Sequence, residues 1–287
     1  MRKPKPKYLL DRVSRLAIFS LVTSLGLPSV LPSEPTGTLV KEACFNAIQQ
    51  REVKSLWSYR VERHDDKHII LEQVIETVDT PVTHLLAVDG NAPTAAQLQE
   101  EDDRHRRLLR NSAGQSAVKK DHGEDSKKME EILRIIPEAF VFQDLGKQRG
   151  LEKIAFHPNP DFKPKTYEQR ILHTLVGTAF IDLHDKQIAR ISASLAQRVE
   201  FGLGLLGRVD KGGSMNITRT RLSEGVWQVS VEKIDLSGRM AIFKSLNRHK
   251  DEQRSDFKPV APGTTVAQAL DELEKNRTSS YPETSRR

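Results

Sequence analysis

Hydrophobic and polar positions along this chain change period several times, and the changes mark its elements. Leu39, Ala43 and Ala47 recur at helical spacing within residues 36–51, after a Thr that can cap a helix. From Trp57 the period becomes two: Trp57, Tyr59 and Val61 alternate with Ser58, Arg60 and Glu62, the mark of a half-buried strand. The polar run His64–Lys67 predicts a turn, Ile69 to Val78 a returning strand, and Thr83 to Val88 a third strand ending at Asp89-Gly90. Residues 94–136 break this rhythm and predict two charged helices around a mobile loop near Asn111 to Asp125.

Strands return from 139 to 247. Phe140 alternates with Phe142 and Ile154 with Phe156, and a proline-bearing loop follows, leading to a short helix near 166–174. Phe180–Leu183 and Ile188–Ile191 flank a turn. Further turns at Asp210–Gly213, Ser223–Gly225 and Ser237-Gly238 lead into Met215, into Trp227–Val231 and into Met240–Phe243. Turns at about 12-residue spacing describe an antiparallel meander. One helical stretch, Val266 to Lys275, lies in a polar tail beginning near Asp256.

Residues 1–33 stand apart. Their first half is basic, and residues 16–31 (LAIFSLVTSLGLPSVL) carry no charge but fall short of the roughly 20 residues needed to span a bilayer. Pro28, Pro32 and Pro35 separate the segment from the domain. This is the pattern of a secretory signal, with an uncleaved anchor as the alternative. The segment also changes how the charge reads. The chain is +6 overall, but residues 1–33 hold six Arg and Lys against Asp11, a surplus of five, and residues 276–287 add two. The remaining −1 on residues 34–275 lacks the cationic footprint of a nucleic-acid binder. The expected location is therefore the periplasm or cell envelope.

Little in the chain suggests catalysis. Gly202–Gly207 fits GxGxxG, but a turn follows it where dinucleotide binding needs a helix, so a glycine-relieved bend is expected and no cofactor. His64, Asp65, Asp66 and His68 are ligand-type residues on a hairpin turn, which splays side chains into water, so no metal site is assigned. Cys44, the single cysteine, follows the charged pair Lys41-Glu42 and reads as a buried helix residue and no lipid-attachment site. No catalytic residue is assigned.

The aromatic and aliphatic strand positions remain. Trp57, Tyr59, Val61, Phe140, Phe142, Phe156, Phe180, Trp227, Val229 and Phe243 either fill an ordinary core or line an apolar cavity for an acyl chain. The order of the pieces bears on this choice. The phrases are Trp57–Glu62, the insert after Asp89-Gly90, Phe156–Pro164, Phe180–Asp182, Phe201–Leu206, Asp210–Gly212, Gly225–Trp227 and Ser237–Arg239. Together they resemble bacterial exported proteins related to the outer-membrane lipoprotein carrier fold, the LolA/LolB-like superfamily, over residues 36–255. The resemblance implies a mainly β (α+β) domain, with a curved antiparallel sheet or half-barrel closed by helices over an apolar cavity. It also implies lipid or acylated-protein binding without enzymatic activity. The charged insert at 94–136 departs from those carriers and is the place where an envelope protein would dock, if the fold serves as an interaction or sensing module instead.

Overall fold

The computed structural model describes residues 35–52, 55–65, 67–110, 127–201, 207–240, 244–245 and 248–280. The expected export segment, the loop near Asn111–Asp125, Asp66, Phe243 and Gly202–Leu206 lie outside the described residues.

The helical spacing after Pro35 becomes α1 (Thr36–Glu52). Alternation then produces β1 (Leu56–His64), β2 (Ile69–Ile75) and β3 (Val82–Val88). β2 stops three residues before the expected end at Val78, because Thr77 begins a turn. Its hydroxyl donates to Thr80 O and accepts the backbone N–H groups of Asp79 and Thr80. The charged insert forms α2 (Ala95–Arg110) and α3 (127–139). After them come β4 (Phe140–Gln148), β5 (Leu151–Pro158), α4 (Tyr167–Leu172), β6 (Leu175–Asp182) and β7 (Gln187–Leu195). The short strands β8 (Val199–Phe201) and β9 (Gly207–Val209) precede β10 (Ser214–Ser223) and β11 (Val226–Leu236). β12 (Gly238–Met240), β13 (Lys244–Ser245), β14 (Arg248–Val260) and α5 (Val266–Ser280) complete the order.

Ten strands form one antiparallel sheet in the order β3-β2-β1-β14-β11-β10-β7-β6-β5-β4, open at both edges and not closed into a barrel. Tight turns make its hairpins. Arg149 and Gly150 between β4 and β5 both have positive φ, 53° and 78°, as a two-residue hairpin turn of the I′ kind requires. Gly177 serves a different purpose: a Cβ there would sit 2.1 Å from the Ser192 carbonyl oxygen, so β6 can lie this close to β7 only without a side chain.

Two features depart from a simple meander. After β11 the chain leaves the main sheet, and β12 joins a second, four-stranded sheet of order β13-β12-β9-β8. Ser237-Gly238 is thus a crossing between sheets and not a hairpin turn. The chain then returns as β14 and inserts between β1 and β11. The boundary expected near residue 255 falls inside β14, and Val266, Ala269, Leu270 and Leu273 of α5 are buried.

Register assigns the helices to faces, since directly opposed residues share a face. Val61 opposes Arg254, Glu252 opposes Glu232, Glu232 opposes Ile217, and the series continues through Ile191 and Ala179 to Ile154. On this face Ile154 and Ile181 pack with Leu39, Val40, Ala43, Cys44 and Ile48 of α1 and with Leu133 of α3. Ile75 neighbours Val74, which opposes Tyr59, so Ile75 points to the other face. There it packs with Val82, Leu108 of α2 and the buried side of α5. α1 and α3 therefore lie on one face and α2 and α5 on the other, toward opposite ends of the sheet. Each such Leu, Ile or Val contributes on the order of 1.5–3 kcal/mol when fully buried.

Candidate functional site

Dividing the helices in this way leaves the middle of one face partly uncovered. A cleft of about 780 Å³ lies there, between α1 and α3 on one side and β1, β7, β10 and β11 on the other. Its sheet wall is apolar, formed by Ala189, Ile191, Ile217 and Val229, and Ala47, Met129 and Leu133 of the helices stand across from it. Each sheet residue is inward-facing by the strand period, so alternation along three separate strands builds a continuous surface.

At the end near the β6–β7 turn, the polar groups in the wall are hydrogen-bonded to protein. Arg219 donates to Gln187 Oε1 at 2.9 Å, to Gln50 Oε1 at 2.6 Å and to the carbonyls of Ile188 and Trp227. Asp185 accepts from Trp227 Nε1 at 2.8 Å, from both Nε and Nη2 of Arg221 and from Gly225 N–H. Burial opposes the charge of Asp185. The hydrogen bonds from Trp227, Arg221 and Gly225 outweigh it, so the carboxyl is held below its ordinary value. Asn46 of α1 donates to the carbonyls of Asp185 and Lys186, pinning the helix to the same turn.

The end near β1 is different. Glu76 accepts the Trp57 backbone N–H through Oε2 at 3.0 Å. Burial raises its pKa, and neither that hydrogen bond nor the charge of Arg254 restores the ordinary value. Trp57 Nε1 is buried without an acceptor among the described residues. A buried N–H left in this way costs about 1–3 kcal/mol.

Of the ten positions expected to line a cavity, Trp57, Trp227 and Val229 line this cleft. Tyr59 and Val61 pack with Val74 in a cluster against which Trp57 and Phe257 also pack. Phe140 meets Phe156 edge-on at 5.2 Å and Phe142 at 6.4 Å, and Phe142 also packs against the α1 cluster. Phe180 stands on the opposite face, opposed to Lys153 and Arg190, whose cations lie 5.7 and 5.3 Å from its ring centroid.

The turn-borne histidines are divided between two carboxylates: His64 Nε2 lies 2.6 Å from Glu62 Oε1, and His68 Nδ1 lies 2.8 Å from Asp89 Oδ2. Among the described residues no three His, Cys, Asp or Glu side chains form a metal-binding group. Gly207 of the glycine motif opens β9, which pairs antiparallel with β8. Cys44 is buried under α1, and burial pushes its thiol up to about 12.

Strand periodicity gave no sign of a row of charges beside the cleft on the same face. Glu72 of β2, Arg63 of β1, Glu252, Arg254 and Lys250 of β14 and Glu232 of β11 form a continuous ion-pair network. Arg63 pairs with both Glu72 and Glu252, the latter at 3.0 Å, and Arg254 Nη2 lies 2.8 Å from Glu252. The Arg254 guanidinium also lies 5.5 Å from the Tyr59 ring centroid. Only 10% of the Glu252 side chain is exposed. Burial works against its charge, yet Arg254, Lys250 and Arg63 prevail and take its carboxyl down to about 2.

No protein-family model matches this chain, and neither a curated protein nor a solved structure matches it.

Proposed function

We propose that this protein is a non-catalytic, exported binding protein that holds the apolar chain of a lipid or acylated molecule in the cleft between α1 and the sheet. On this reading the open ten-stranded sheet is the half-barrel of a LolA/LolB-like carrier, and the segment at 1–33 delivers it to the periplasm. The observation that carries the reading is the wall itself. Apolar residues from three strands and two helices face one another across about 780 Å³, within the range of roughly 300–1,000 Å³ that small-molecule sites occupy. Each methylene transferred from water into such a cleft contributes about 0.8 kcal/mol, so a chain of ten carbons supplies ample driving force even against the cost of immobilising it.

The chain carries its own reporter. Its two tryptophans, Trp57 and Trp227, both line the cleft. Titration with a bromine-labelled fatty acyl chain should quench their fluorescence saturably, and solvent extracts of the purified protein should contain an acyl species by mass spectrometry. Unsaturable quenching together with extracts free of acyl species would refute the reading.

A further inference from the structure

The two ends of the cleft differ in what they leave unmet. Near the β6–β7 turn, the carboxylate of Asp185 takes hydrogen bonds from Trp227, Arg221 and Gly225, and the guanidinium of Arg219 gives them to Gln50, Gln187 and two carbonyls. That end is cross-linked by its own side chains. Near β1, Trp57 holds a buried indole N–H with no acceptor among the described residues, and Glu76 uses Oε2 on a backbone N–H. Buried donors are satisfied in the great majority of sites; the residue that carries this exception lines the cleft, where a ligand acceptor would relieve its cost.

Resting on the binding function proposed above, we infer that the ligand's polar group seats at the β1 end, against Trp57 and Glu76. We further infer that this group is uncharged and both accepts and donates hydrogen bonds, as an alcohol or a primary amide does. The indole N–H requires an acceptor. Glu76 presents a carboxylate, which accepts a donor and repels a second anion. The cation acting on Glu76 is Arg254, and Arg254 is itself held by Glu232 and Glu252. An ionised carboxylate or phosphate would therefore enter against the charge of Glu76, and among the described residues the cation acting on Glu76 is already held by two other carboxylates. The apolar stretch between the two polar ends takes the chain.

Matched ten-carbon probes test this: 1-decanol, decanamide and decanoate, titrated against the full protein at pH 8 with tryptophan fluorescence as the signal. Decanol and decanamide should bind at least about tenfold tighter than decanoate, as expected when one probe meets a like charge in a partly buried site. Glu76→Gln, which keeps the shape and removes the charge, should bring decanoate to within about threefold of decanol by raising its affinity. Trp57→Phe, read through Trp227, should weaken decanol by about three- to tenfold, because the ring stays and the N–H is lost. Equal or tighter binding of decanoate to the unmodified protein overturns the inference and leaves the binding function standing. So does a decanol-to-decanoate ratio unchanged by Glu76→Gln. Failure of all three probes to bind saturably overturns both.

Discussion

Glu252 offers the sharpest test of how this sheet is held together. It sits at the centre of the charge row, between Arg63 of β1 and Arg254 and Lys250 of its own strand, where β14 inserts between β1 and β11. Its carboxyl is taken from the ordinary 4.5 to about 2. At about 1.36 kcal/mol per pH unit, that difference corresponds to roughly 3 kcal/mol of stability, an upper figure because the network is partly open to water. The sign follows from the direction. A carboxylate whose folded pKa lies below its unfolded one stabilises the protein fully above about pH 5, and that contribution disappears as the pH falls toward about 2. Glu252→Gln removes the charge at every pH while keeping the side-chain volume. Urea unfolding at pH 7 should show the variant about 2–3 kcal/mol less stable, with an unchanged dependence on urea concentration. The gap between the two proteins should shrink through pH 4 to a small remainder near pH 2, where the native Glu252 is itself half protonated. Taking the difference cancels the titration of acids that do not share cations with Glu252. A gap of equal size at pH 7 and pH 2 would mean that Glu252 acts through packing or hydrogen bonding alone, and the electrostatic account would fail.

Two further outcomes follow from buried groups. Cys44, buried with its thiol pushed up to about 12, should resist a water-soluble thiol reagent at pH 8 in the native protein and react at once in denaturant, because the thiolate is the nucleophile; rapid native labelling would contradict the packing of α1. Glu101 of α2 accepts the backbone N–H of Leu85 at 2.8 Å and lies 2.9 Å from His84 Nδ1, closing part of the exposed edge of β3. Glu101→Ala should cost about 2 kcal/mol in urea unfolding by leaving that N–H unpaired, and an unchanged midpoint would show that α2 does not seal the edge.

Local features of this protein are legible in its sequence. The alternation Trp57-Tyr59-Val61, the Asp89-Gly90 stop after β3 and the helical spacing of Leu39, Ala43 and Ala47 each depend on a few neighbouring residues. The mainly β, antiparallel architecture follows from their sum. β14 was not legible, because Arg248–Val260 is almost wholly polar and presents no apolar alternation. Its charges become acceptable inside a sheet only because Arg63, nearly 190 residues earlier in the chain, is brought opposite Glu252. The cleft has the same origin. Trp57, Glu76, Arg219 and Trp227 belong to distant stretches, and no spacing between them indicates that they share a wall. Sequence by itself marked most of the segments that become strands and helices, β14 excepted, since backbone period and turn chemistry act over a few residues. Which strand lies beside which, which face each helix covers, and hence where apolar wall and unmet hydrogen bonds meet, was decided only by the tertiary structure. Those choices depend on satisfying charges and filling space between residues the chain itself holds far apart.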